Sequence, residues 1–256
     1  ISRAFLPRKP ESASGFLSGL TTNHHQYFYK RSENKWMTLV TFMSSQLILF
    51  FKLLKYMNKD VVIYVNTMLP FGAALAGFVM RKPVIYHVHE ISLTPLALKS
   101  FLRAVIRLTA KKIIFVSKSV QSSEQFFEKK DCVIYNALSD SFVNNALNQN
   151  NRKAKDGFNV LMLASLKAYK GVQEFMEIAK LLETNKHISF TLIINATNKD
   201  VNKYFKNKDL TDNIEIFSSK SDVIPFYNKA SLVLNLSHVD AWVETFGLTI
   251  VEAMAF

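Results

Sequence analysis

The sequence predicts an α/β protein built from two doubly wound domains in tandem, and three observations carry that expectation. From Asp60 onward, short β-rich runs alternate with stretches of helical periodicity, the pattern of parallel strands joined by crossover helices. The runs VVIYV and KIIFV are continuously apolar rather than alternating, as in strands covered on both faces. A polar, Asn-rich segment at 139–157 then separates one such series from a second, as a linker would.

The elements follow in order. Trp36–Phe51 is a run of 16 residues without formal charge, flanked by Lys35, Lys52 and Lys55. It is shorter than the roughly 20 residues that cross a bilayer, and Thr38, Thr41, Ser44, Ser45 and Gln46 interrupt it, so a buried core helix is expected ahead of an interfacial one. Strands are expected at Val61–Asn66, Pro83–Val88, Lys112–Ser117 and Cys132–Tyr135, with helices at Pro70–Met80, Pro95–Ala110 and Ser119–Glu128 between them. Pro70 and Pro95 suit first-turn positions, where a missing N–H is no loss. The second series has strands at Phe158–Ala164, Ser189–Asn195, Asn213–Phe217 and Ser231–Leu236. Its helices are expected at Val172–Glu183, Lys199–Lys206, Ser221–Lys229 and from Gly247. The domains are therefore 1–138, a linker 139–157, and 158–256. The first series lacks an opening strand and loop and the second stops within a helix, so both domains are expected to be incomplete.

Composition narrows the partners. The 256 residues carry a formal net charge of +12 and are 49% hydrophobic, too apolar for a disordered chain. Residues 1–150 hold 19 Lys and Arg against 8 Asp and Glu, a net of +11, while 151–256 hold 13 against 12. An anionic membrane surface or a phosphorylated ligand fits this excess. Lysine outnumbers arginine 25 to 7, which weakens nucleic-acid recognition, where the bidentate arginine fork is favoured, and no nucleic-acid partner is expected. The single Cys132 excludes a cysteine-rich zinc site or an internal disulfide, and neither G-x-G-x-x-G nor G-x-x-x-x-G-K-[ST] occurs. His87 and His89, beside Glu90, alternate onto one strand face but lack a third ligand at convincing spacing, so no metal is expected.

The string Glu244-Thr-Phe-Gly-Leu-Thr-Ile-Val-Glu252 follows the strand SLVLNLS and the loop HVDAWV. Gly247 stands where loop gives way to helix. The free N–H groups and positive dipole end there receive phosphate or sugar oxygens, and the two carboxylates are acceptors for paired hydroxyls. The alternative is an ordinary helix start with a core face of Leu248, Val251 and Met254.

ETFGLTIVEAMA resembles the E-x7-E signature of the retaining family 4, or group 1, glycosyltransferases, whose GT-B fold places two Rossmann-like domains on either side of a cleft. VIYHVHE, IIFVSKSV and SLKAYKGVQEF resemble further family motifs in the expected order, so the likeness runs from about Asp60 to Phe256. The resemblance implies a nucleotide-sugar-dependent, hexosyltransferase-like enzyme, with a glycan or a polyprenyl or other lipid-linked acceptor in surface polysaccharide or glycoconjugate synthesis. It implies no cofactor beyond the nucleotide-diphosphate sugar itself. The expected location is the cytoplasm, peripheral on the inner face of the cytoplasmic membrane. As a fragment missing both ends, the chain by itself is expected to be inactive.

The resemblance also implies roles. Lys170 faces the donor pyrophosphate and offsets charge on the leaving group. Glu244 binds donor-sugar hydroxyls, and Glu252 the ribose. Backbone amides of Phe246, Gly247, Leu248 and Thr249 approach the sugar and phosphate, and His89 sits near the transferred sugar. One position departs from the pattern: where many members have an arginine five residues before the motif lysine, this chain has Ser165. Lys167 is the candidate substitute, without the bidentate fork. A noncatalytic glycan- or membrane-binding relative is the alternative reading.

Overall fold

The computed structural model describes residues 3–7, 23–27, 34–124, 126, 131–148, 157–241 and 243–256. The chain divides into two compact units, residues 1–135 and 136–256.

In the first unit, β1 (Arg3–Pro7) and β2 (Asn23–Tyr27) form a parallel pair. The main sheet contains β3 (Ile63–Asn66), β4 (Val84–Val88), β5 (Lys112–Phe115) and β6 (Asp131–Val133), all parallel and in the order β3-β4-β5-β6. Helices α2 (Phe71–Val79), α3 (Leu96–Thr109) and α4 (Lys118–Ser123) connect them. Because the strand order follows chain order, right-handed crossovers set these helices on one face of the sheet. Ile63, Val65, Val84, Tyr86, Val88, Ile113 and Phe115 accordingly pack into one core with Ala74 and Ala76 of α2 and Leu102, Val105 and Ile106 of α3. The intervening residues Tyr64 and Asn66 are exposed, and Ile85, His87 and Ile114 half-buried. Winding in one direction leaves its second face open among the described residues.

The run read as a core helix forms α1 (Lys35–Leu54), capped by the Asn34 side chain, which accepts from the N–H groups of Trp36 and Met37. Its burial is the reverse of its composition. Ser45 and Gln46 are buried beside Leu49 and Leu53, whereas Trp36, Val40, Met43, Leu47 and Phe51 form an exposed apolar stripe at helical spacing. The inward-facing polar groups are hydrogen-bonded. Pro70 offers no side-chain cap to α2, and Gln46 Oε1 accepts from Gly72 N at 3.1 Å in its place. Gln46 Nε2 donates to Ser45 Oγ at 3.2 Å, and Ser45 Oγ donates to the Phe42 carbonyl at 2.6 Å. The buried polar groups are paired, the expected core helix is instead largely exposed, and Trp36–Leu54, against the expectation from 16 residues, is long and apolar enough by length and composition to cross a membrane.

The second unit contains β7 (Phe158–Ala164), β8 (Ile188–Ile194), β9 (Ile214–Phe217) and β10 (Leu232–Leu234), again all parallel. Their order is β10-β7-β8-β9: the chain steps from β7 across to β9, then returns to the far side of β7. Helices therefore cover both faces. On one side Val172, Phe175 and Ala179 of α6 (Val172–Leu181) and Val201 and Phe205 of α7 (Asn198–Phe205) pack on Val160, Met162, Phe190, Leu192 and Ile194. On the other, Tyr227 of α8 (Ile224–Lys229) packs on Leu161 and Ile193.

Part of the segment read as a linker is helical. Helix α5 (Asp140–Leu147) is capped by Ser139, and Phe142 meets Tyr227 and Phe256 edge-on. One large aromatic thus anchors an otherwise polar stretch, while residues 149–156 lie outside the described set.

Candidate functional site

The reversal of strand order between β7 and β10 makes the loops at their C-terminal ends diverge, and in open α/β sheets such a switch point holds the ligand. The loop leaving β7 begins at Ser165 and closes in a 3₁₀ turn, Ala168–Lys170, followed by Gly171. Gly171 has φ 71°, a left-handed conformation that favours glycine. A Cβ there would also fall inside van der Waals contact with the side chain and carbonyl of Leu236, just past β10. The two loops therefore meet backbone to backbone.

That contact brings the predicted donor residues together. Lys170 Nζ lies 3.1 Å from Glu244 Oε2 and donates to Ser237 Oγ at 3.3 Å. The His238 N–H donates to the Tyr169 carbonyl at 2.8 Å, and His238 Nε2 lies 2.6 Å from Glu174 Oε1 at the start of α6. The Glu174 N–H and His238 together hold the Glu174 carboxyl below its usual range. Lys167 is exposed one turn earlier and makes no ion pair among the described residues. Ser165 accepts the Lys167 N–H through its carbonyl at 2.7 Å.

Phe246 and Gly247 lead into α9 (Leu248–Met254). Gly247 is buried at φ 71° and accepts from the Ile250 and Val251 N–H groups, which leaves the Leu248 and Thr249 amides in the first turn, where helices offer donors to ligands. Glu252 is drawn toward α8: Tyr227 donates to its Oε2 at 2.7 Å. Burial, and then the Glu252 carboxylate, push the Tyr227 phenol well above its ordinary range. Tyr227 and Ser237 are the residues that sequence reading missed. Neither was singled out as a site residue, and only the return of the chain from β9 to the far side of β7 places them beside Glu252 and Lys170.

In the first unit, His89 stands just beyond β4, on the open face of the sheet. Its Nε2 lies 2.8 Å from Asn66 Oδ1, and its ring packs 4.3 Å from that of His87. Burial, with the neighbouring His87, lowers the His89 pKa from 6.5 to about 4. His87 is also lowered by burial, and its Nδ1 pairs with the Tyr64 hydroxyl at 2.7 Å. Glu90 turns away from that face. Its Oε2 accepts from the Met68 and His89 N–H groups at 3.2 Å each, and burial raises its pKa. Among the described residues, no three His, Cys, Asp or Glu side chains cluster as a metal site.

Residues 143–256 match the family model "Glycosyl transferases group 1". No protein of curated function matches the chain in sequence. Among solved structures, Anabaena HepE in complex with UDP and glucose superimposes with a TM-score of 0.63 at 20% identity, over 91% of this chain and 65% of that protein. A glycosyltransferase from Rickettsia africae gives 0.60 at 18% identity, over 91% and 64%. An α,α-trehalose-phosphate synthase (UDP-forming) from Burkholderia vietnamiensis gives 0.64 at 14%, over 88% and 61%. The chain thus spans less than two thirds of each. The fold is the α/β architecture of GT-B glycosyltransferases with two parallel sheets, and residues 143–256 are similar to the group 1 glycosyltransferase family.

Proposed function

We propose that the protein is a retaining glycosyltransferase that moves a sugar from a nucleotide-diphosphate sugar to a glycan or lipid-linked acceptor in surface polysaccharide or glycoconjugate synthesis. The observation that carries this reading is Lys170 against Glu244 at the switch point of the second sheet. A cation beside a carboxylate suits a ligand that is anionic at one end and hydroxylated at the other. Lys170 binds the diphosphate and stabilises the charge that grows on it as the glycosidic bond breaks. Glu244 accepts hydrogen bonds from the sugar, and Glu252, held by Tyr227, from the ribose. The first-turn amides of α9 supply further donors, so the charge is met by this chain's own groups without a metal. HepE's complex with UDP and glucose supports a donor of this class.

The +11 of residues 1–150 and the apolar stripe of α1 support an acceptor at an anionic membrane surface, with the protein cytoplasmic and peripheral on the inner face. Ser165 and the exposed Lys167 favour the second reading, a noncatalytic relative that binds glycan or membrane, because they leave the phosphate side one clamp short. Donor turnover separates the two. In the protein expressed with whatever sequence flanks it in its gene, a panel of nucleotide sugars should give hydrolysis or transfer with retained anomeric configuration. Lys170→Ala and Glu244→Ala should abolish it. Absence of turnover with every donor would favour the noncatalytic reading.

A further inference from the structure

We propose that Asn66 is a positioning residue for His89: it fixes the imidazole as the Nε2–H tautomer and so presents Nδ1 as a hydrogen-bond acceptor on the open face of the first sheet. Asn66 ends β3 and pairs in register with His87 of β4, so His89 lies one step further along the same face. The Asn66 carbonyl oxygen only accepts. At 2.8 Å from His89 Nε2, it requires a proton on that nitrogen. A neutral ring with Nε2 protonated carries its lone pair on Nδ1.

The backbone around His89 is held independently. Glu90 Oε2 takes the Met68 and His89 N–H groups, tying the ends of β3 and β4 together. Thr67, between Asn66 and Met68, has φ 76°, an uncommon conformation for a β-branched residue, and it persists only where surroundings impose it. The ring of His87 at 4.3 Å limits rotation from the other side. Placed at the C-terminal ends of parallel strands, where such sheets take ligands, this acceptor suits a sugar hydroxyl.

The inference rests on the glycosyltransferase reading for its consequence and on geometry alone for the tautomer, so two measurements separate them. Imidazole ¹⁵N NMR on histidine-labelled protein should show His89 with Nε2 protonated. Asn66→Ala, at an exposed position, should move it toward a mixture of tautomers, and Asn66→Asp, which keeps the acceptor, should restore it at alkaline pH, where the new carboxylate does not hold the ring protonated. An unchanged His89 spectrum in Asn66→Ala would overturn the proposal. In transfer assays, Asn66→Ala should lower kcat by about tenfold with the donor KM unchanged, and Asn66→Asp should recover most of it. A shifted tautomer with unchanged kcat would overturn the link to transfer while leaving the positioning intact. Wild-type protein inert toward every donor would count against the glycosyltransferase reading, with the spectrum still deciding the role of Asn66.

Discussion

Lys170 Nζ and Glu244 Oε2 stand 3.1 Å apart although 74 positions separate them in the chain. Both side chains are part-exposed, at 22% and 36%, and exposed ion pairs contribute only about 0–1 kcal/mol. Stability is therefore a weak account of their meeting. The topology is a better one, since β7 and β10 are neighbours only because the winding order of the strands reverses there.

Gly171 makes that meeting sterically feasible. Gly171→Ala would place a Cβ against Leu236 and force an L-residue into a left-handed conformation. Substitutions at incompatible backbone sites cost more than about 1 kcal/mol. Urea unfolding should show at least that loss, together with weaker nucleotide binding. Wild-type stability in this variant would mean that the two loops do not approach as closely as described.

Tyr227→Phe removes the donor to Glu252 but keeps the ring stacked on Phe256. A hydrogen bond to a charged group is worth about 1.5–3 kcal/mol. The variant should lose a part of this in stability, and the freed Glu252 should raise the donor KM several-fold with little change in kcat. An unaltered KM would detach Glu252 from nucleotide binding.

His89 should remain neutral well below the usual histidine range. Its pKa is about 4 in the folded protein against an ordinary 6.5, so its NMR shift should stay flat from pH 7.5 to 5. The unfolded chain binds the proton more readily in that window. This group therefore costs stability as the pH falls from about 6.5 toward 4. A midpoint near 6.5 would contradict the buried, His87-flanked setting.

The apolar stripe of α1 gives a membrane test with little risk to folding. Val40 is 58% and Leu47 58% exposed, so Val40→Glu with Leu47→Glu should leave the thermal midpoint nearly unchanged. Sedimentation with phosphatidylglycerol vesicles at low salt should be strong for the wild type, weaker with neutral phosphatidylcholine, and lost in the double variant. Equal sedimentation with both lipids would remove the electrostatic part of the argument.

How much was legible in the sequence depended on what each residue's role required. Continuous apolar runs located the strands of both main sheets to within a few residues, because burial demands that composition wherever helices cover a face. In the first sheet the same runs also supply the second face, where Tyr64 is exposed and Ile85 half-buried among the described residues. Trp36–Phe51 misled because its composition favoured the core, whereas Ser45 and Gln46 face inward and the apolar stripe faces outward. At the site, Lys170 and Glu244 could be read from local motifs. Tyr227, Ser237 and Asn66 could not, because strand order and register bring them into place, and neither leaves a local pattern.

The switch point of the second unit should take the diphosphate and sugar of a nucleotide sugar through Lys170 and Glu244. Calorimetric titration of nucleoside diphosphates and their sugar conjugates tests it most directly. One nucleotide base should bind in the wild type. Lys170→Ala should weaken both the diphosphate and the sugar conjugate at least tenfold, and Glu244→Ala should weaken the conjugate alone. Identical affinities in wild type and both variants, or no binding of any nucleotide, would contradict the account.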